Sequence, residues 1–140
     1  MPYLGDVNVL LAAIDSAHAH HVIVRPWFEN QGFQAIYLCR LTHLALLRLL
    51  TNAHVMSQKP LSSEEAWAAV DALMDDPRVG FLPEPDGVTL LLRSWTKAKS
   101  VGAASWTDAY LAAFAAQAGL KLATLDKGAL AYPVDAERIQ

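Results

Sequence analysis

The apolar positions of this chain fall into short β-prone runs separated by longer helical ones. Residues 3–5 form a brief apolar run that stops at Asp6, and residues 7–14 are almost wholly apolar. A helix apolar around its whole circumference is one buried on all sides. A second helical stretch opens at Asp15 and Ser16, passes His18, His20, His21 and Pro26, and ends at Asn30-Gln31-Gly32, with Pro26 as a kink or break. The spacing then predicts a second strand over 33–38, a third helix over about 41–50 and a loop over 53–60. Ser62 or Ser63 with Glu65 forms a helix-start signature, and the fourth helix runs from there to Asp75-Asp76-Pro77. A third strand is expected at 79–82. A fifth helix follows from Asp86 through Trp95, with Lys97 and Lys99 on its exposed end, then a small-residue loop over 101–104. The sixth helix spans 107–118 and stops at Gly119, and strands at 120–125 and 134–139 complete the chain. Strands separated by helices predict an α/β fold of three layers, α/β/α, around a mostly parallel sheet of four to five strands with right-handed crossovers.

Length and composition narrow this picture. The 140 residues suit one domain over 1–140, long enough to bury a real core. Hydrophobic residues at 54% and charged ones at only 18% mean that most elements are covered on more than one side. No apolar run reaches the roughly 18 residues of a membrane span, and no basic segment precedes an apolar one at the N-terminus. A cytoplasmic protein with no membrane partner is expected. The lone Cys39 excludes an internal disulfide and a thiolate zinc site, and reads as a small core residue. A net charge of −3 argues against a broad basic surface for duplex binding but leaves a nucleic-acid substrate open.

The candidate chemistry lies in three aspartates. In open parallel sheets function gathers beyond the carboxyl ends of the strands, where the strand order reverses. Asp6 and Asp126 both stand at such ends, and Asp108, at the start of the sixth helix, is placed to reach the same edge. Clustered carboxylates repel one another, and a fold tolerates them when protons or cations compensate. Oxygen-only ligands suit Mg²⁺ or Mn²⁺, and such an ion steadies the charge of a phosphodiester undergoing displacement. The implied reaction is phosphodiester hydrolysis. Phosphatase chemistry on a small ester uses the same metal logic but lacks a phosphate-cradling Gly-rich loop here.

Each residue also has a plain structural reading. Ser105-Trp106-Thr107-Asp108 fits a capping box, Asp126 a turn and Asp6 an N-cap. His43 shares a helix face with Leu46, Leu47 and Leu50 and reads as a structural histidine. His18, His20 and His21 read as a solvated cluster at a helix end. Arg48 and Arg93 interrupt apolar helices, either to meet a substrate phosphate or to pair with a carboxylate. Trp27, Trp67, Trp95 and Trp106 read as core or interface residues more than base-stacking platforms, with Trp106 next to the site. The helices over 41–50 and 62–74 are apolar enough to form a partner surface.

Three motifs carry a resemblance: Leu4-Gly5-Asp6-Val7-Asn8-Val9-Leu10-Leu11, Thr107-Asp108-Ala109-Tyr110-Leu111-Ala112-Ala113 and Ala123-Thr124-Leu125-Asp126. In order and spacing they resemble PIN-domain proteins, specifically VapC-type toxins of bacterial toxin–antitoxin pairs. The segments 18–28 and 47–52 resemble one branch of those toxins, so the likeness covers nearly the whole chain. It implies a Mg²⁺- or Mn²⁺-dependent ribonuclease restrained by a cognate antitoxin, with a homodimer expected by analogy. Asp6, Asp108 and Asp126 then take the metal-ligand and catalytic roles. Asn8 and Thr124 support them from the side, and Arg48 joins them on the substrate. The chain departs from the family pattern at two places. Ala45 stands where many members carry a glutamate, and Gly128 where a second acid sometimes follows Asp126. A non-catalytic PIN-like module that binds RNA or a protein is the alternative this departure raises.

Overall fold

The computed structural model describes residues 1–97, 102 and 106–140. Among them, strands β1 (Tyr3–Gly5), β2 (Ile36–Leu38), β3 (Val79–Phe81), β4 (Lys121–Thr124) and β5 (Ala136–Arg138) pair in the order β3-β2-β1-β4-β5, every pair parallel. Tyr3 lies opposite Ile36 on one side and Lys121 on the other. The helices are α1 (Val7–Ile14), α2 (His21–Glu29), α3 (Arg40–Leu50), α4 (Ser63–Asp75), α5 (Val88–Lys97) and α6 (Trp106–Ala118), with a short 3-10 segment, Lys127–Ala131, between β4 and β5. This is the expected three-layer architecture.

Strand alternation divides the interior into two cores. Ile36, Leu38 and Val79 face a cluster with Leu10 of α1, Phe28 of α2 and Leu46 of α3. Leu4 and Leu122 face the opposite way, onto Leu111 and Phe114 of α6. The chain thus moves outward from β1 to β3 beneath one helical layer and returns to β4 beneath the other. Right-handed crossovers demand this change of face when the direction of travel along the sheet reverses. Tyr37 is packed over Gly80 so closely that a Cβ there would lie 2.6 Å from Cε1 of the ring, which reserves that position of β3 for glycine.

Local chemistry explains where elements begin and end. Ser62 and Glu65 form the reciprocal cap of α4, the serine hydroxyl accepting from the Glu65 N–H at 3.1 Å and the glutamate from the Ser62 N–H at 2.9 Å. Residues 15–20 are turns instead of the expected start of the second helix. The Asp15 carboxylate accepts from the Ala17 N–H and the His18 ring from the His20 N–H, local bonds that compete with helix. α2 therefore starts at His21, and Pro26 sits inside it without ending it. β2 is shorter than expected because Gln34 adopts φ 46°, a left-handed turn that no strand continues, leaving Phe33 exposed. The loop over 101–104, Lys99 and Ser105, and with Ser105 the capping-box reading of Asp108, fall outside the described residues, Gly102 excepted.

Leu46 is fully buried where α3 meets the first core, whereas Leu44 on the same helix is 55% exposed. Leu46→Ala is expected to lower the unfolding free energy by about 2–5 kcal/mol, and Leu44→Ala to change it by no more than about 0.5 kcal/mol. Denaturant unfolding of the two variants checks both values.

Candidate active site

β1 and β4 are neighbours in the sheet but lie far apart in the chain, and the strand order reverses between them. Beyond their carboxyl ends stand Asp6 and, past Thr124, Asp126. The Asp6 N–H donates to the Ala123 carbonyl at 2.9 Å, carrying the ladder one residue further and fixing Asp6 against β4. Its side chain is 7% exposed. Oδ1 accepts from the Val7 N–H at 2.7 Å, the N-cap bond of α1, and Oδ2 accepts from the Thr124 hydroxyl at 3.2 Å. The same hydroxyl, wholly buried, accepts from the Asp126 N–H at 2.9 Å. Thr124 thereby couples the two strand ends through one oxygen.

Asp126 caps the 3-10 segment, Oδ1 accepting from the Gly128 N–H at 3.0 Å. Asp108 lies in the first turn of α6. A Cβ built on Gly128 would lie 3.6 Å from Asp108 Oδ2 and 3.6 and 3.7 Å from the two Asp126 oxygens, so these carboxylates approach the same side of Gly128. Burial raises the Asp108 carboxyl above the ordinary carboxylate range, and the charges of Asp6 and Asp126 raise it further. Asp6 is likewise raised, by burial first and by Asp126 in part, against the pull of its hydrogen bonds to Val7 and Thr124. Asp6 and Asp126 thus each cap an element, as their plain structural readings have it, and the charges of both bear on Asp108.

The three carboxylates lie within electrostatic reach of one another, but among the described residues no three His, Cys, Asp or Glu side chains are gathered as a finished metal cage. Neither of the ion pairs found among those residues involves them. An oxygen-only set with uncompensated charge and raised carboxyl groups fits a hard divalent cation.

A cavity of about 360 Å³ opens beside Asp6, with Leu41, Leu44, Ala45 and Arg48 of α3 on one wall and Thr107 of α6 opposite. Arg48 is exposed and pairs with no carboxylate among the described residues, so it faces the site as an available cation. Ala45 leaves the wall apolar where an acid would have stood. Asn8 is elsewhere: exposed on α1, it lines a separate cavity of about 830 Å³ with Asp15, His18 and Lys59. Two residues along a helix point in different directions, which carries Asn8 away from Asp6. Leu41, Leu44 and Thr107 were not singled out in the sequence. The i, i+3, i+4, i+7 spacing of Leu41, Leu44, Ala45 and Arg48 is the signal that could have found this face of α3.

The remaining candidates resolve as structural or solvated. His43 is buried, its Nδ1 3.1 Å from Nη1 of Arg40 and its ring edge-on to Phe81; burial and then Arg40 lower its pKa. His21 holds the Ala12 carbonyl at 2.6 Å, and His18 and His20 are neighbours in the turn before α2. Cys39 is 1% exposed, in the second core. Trp27 bonds Glu137 and Trp95 stacks on Tyr132, whereas Trp67 and Trp106 are each 49% exposed. Arg93 sits on a pocket at the start of α5 with Glu84 and Asp86, and Asp6, Asp108 and Asp126 do not line it.

The PIN domain family matches residues 3–134 of this sequence. The chain belongs to the PIN-domain family. Its relatives include Ribonuclease VapC41 of Mycobacterium tuberculosis, 40% identical over 134 residues that span 92% of each chain. Among solved structures, this PIN domain resembles DNA-bound VapBC from Salmonella typhimurium, with a TM-score of 0.68, 18% identity and coverage of 98% and 97% of the two chains. It also resembles a toxin–antitoxin complex from Klebsiella pneumoniae, with a TM-score of 0.64, 14% identity and coverage of 96% and 95%. At such identities these two likenesses establish the fold. Among the described residues, no helix of this PIN domain is long and apolar enough to cross a membrane.

The raised Asp6 and Asp108 carboxyls make the folded chain bind more protons than the unfolded one just above the ordinary carboxylate range. Their contribution to stability is therefore present at low pH and is lost as pH rises through their folded values. Asp108→Asn removes one of these groups. In thermal melts with a metal chelator from about pH 4 to 7, the midpoint of Asp108→Asn should gain on that of the parent as pH rises.

Proposed function

We propose that this PIN domain is the ribonuclease toxin of a type II toxin–antitoxin pair, hydrolysing RNA phosphodiester bonds with Mg²⁺ or Mn²⁺. The observation that carries this reading is the 40% identity to Ribonuclease VapC41, supported by the electrostatic influence of Asp6 and Asp126 on Asp108 beside the β1/β4 switch. Asp6, Asp108 and Asp126 would hold the cation. When bound, it supplies the positive charge that steadies a phosphodiester under attack and lowers the pKa of water.

The chain's own residues do the rest. Thr124 holds Oδ2 of Asp6 in place and tethers the backbone of Asp126, so that two of the three carboxylates are oriented by one buried hydroxyl. Arg48, on the wall of the cavity that Asp6 lines, meets an RNA phosphate with a planar donor set. Leu41, Leu44 and Ala45 make the α3 wall of that cavity apolar up to Arg48. The likeness to a toxin–antitoxin complex supports a cognate antitoxin as partner, and a homodimer is the oligomer expected by analogy.

RNA cleavage with Mn²⁺ or Mg²⁺ tests the assignment. Asp6→Asn and Asp108→Asn are each expected to reduce cleavage to the background of a mock purification, and Thr124→Val to lower it by about 10–100-fold through loss of its support to the ligands. Activity that survives both aspartate substitutions removes the mechanism.

A second reading has its own observation. Ala45 and Gly128 leave the site without further acids, which suits a PIN domain that binds RNA or a protein without cutting it. Calorimetry separates the two. Mn²⁺ binding at millimolar concentration that is lost in Asp108→Asn supports the enzyme, and RNA binding with no Mn²⁺ uptake supports the binding module.

A further inference from the structure

We propose that the apolar groove between α3 and the start of α6 is a base-binding subsite, in which Trp106 stacks a nucleobase next to the phosphodiester presented to the carboxylates. This inference rests on the ribonuclease reading for its substrate and on independent geometry for its location.

The groove has a volume of about 410 Å³ and is lined by Arg40, Leu41, Leu44, Trp106, Thr107 and Tyr110. Three of these residues, Leu41, Leu44 and Thr107, also line the cavity that contains Asp6 and Arg48. The two spaces therefore share a wall. A single strand with a phosphate beside Asp6 has its neighbouring nucleotide at the groove.

Its surface chemistry suits that nucleotide. Trp106 and Leu44 are 49% and 55% exposed, so two large apolar side chains share one groove beside an acidic site. Trp106 and Tyr110 are four residues apart on α6 and occupy the same side of the helix. The Tyr110 ring is held in place, its hydroxyl donating to Glu84 Oε1 at 2.7 Å and its edge set against Phe114. Arg40 is also held, with Nη1 3.1 Å from Nδ1 of His43 and its guanidinium 4.8 Å from the centre of the Phe81 ring.

Arg40 belongs to the groove and Arg48 to the adjoining cavity. Cations flanking an aromatic and aliphatic floor are the arrangement by which proteins hold single strands, charge for the backbone and ring faces for the bases. An apolar floor with an arginine at each side matches a base together with the phosphates that flank it, so the groove is assigned to single-stranded RNA.

With the Tyr110 hydroxyl committed to Glu84, selection falls to the indole and leucine surfaces. Such surfaces discriminate by stacking area, which favours a purine over a pyrimidine.

Fluorescence anisotropy of end-labelled oligoadenylate and oligouridylate with the full chain tests this, in an Asp6→Asn background so that RNA is not consumed. Trp106→Ala should weaken oligoadenylate binding about five- to a hundredfold and oligouridylate binding less, while Trp106→Phe restores most of the loss. With half of Trp106 exposed, the melting midpoint should fall only slightly in Trp106→Ala and leave the chain folded at the assay temperature, which separates lost stacking from lost folding.

Equal affinities of Trp106→Ala and its background for both RNAs overturn the subsite. So does a variant that binds RNA normally but no longer pairs with the cognate antitoxin, an outcome that would make the groove a protein-docking face. Cleavage by the Asp6-containing chain is scored separately. A chain that does not cut RNA, yet binds oligoadenylate through Trp106, overturns the ribonuclease reading and supports the subsite. A chain that cuts RNA with kcat/KM unchanged in Trp106→Ala overturns the subsite and leaves the ribonuclease standing.

Discussion

The parallel pairing of β1 with β4 is the constraint on which the rest of the site depends. It joins segments more than a hundred residues apart and places Asp6 against Ala123 through a backbone bond. Thr124 completes the junction by giving its hydrogen to Asp6 and its lone pair to the backbone of Asp126. Both strands are covered on both faces, so a slip in register would turn Leu4 or Leu122 into the wrong core and separate Asp6 from Asp126. The stability of the core and the placement of the site are consequences of the same pairing.

Electrostatics acts against that placement. Three carboxylates share one edge, and the protein relieves their repulsion only in part, with two backbone N–H groups and one hydroxyl. The Asp6 and Asp108 carboxyls are pushed upward, the condition of a site arranged for a positive charge. The neighbouring cavity has the opposite character. Its α3 wall is leucine and alanine with Arg48 at its end, so an anionic centre adjoins an apolar surface bearing a cation. That contrast suits a substrate that is itself charged along one side and aromatic along the other.

Much of the fold was legible in the pattern of apolar runs. The strand and helix identities follow from it because a buried parallel strand and a fully apolar helix are distinguished by length and by the caps that bound them. The misreadings were local. Residues 15–20 carry helix-compatible side chains, but Asp15 and His18 find bonds within their own turns, and Gln34 turns left-handed before β2. Composition says little about such competition, because helix and turn can satisfy the same backbone groups.

The site divides in the same way. Asp6, Asp108 and Asp126 were legible because each stands where a strand ends or a helix begins, and short motifs around them keep that position. By itself the sequence determined the α/β class, the order of its elements and the three acidic candidates. Only the tertiary structure decided which faces meet. It turned Asn8 toward a different cavity, set Thr124 between two aspartates and left Trp106 half exposed beside Leu44, outside the core though still open to the interface role the sequence allowed. The reason is that helix and strand periods assign a side chain to a face of its own element. What that face touches is settled by strand order, a relation between residues distant in the chain.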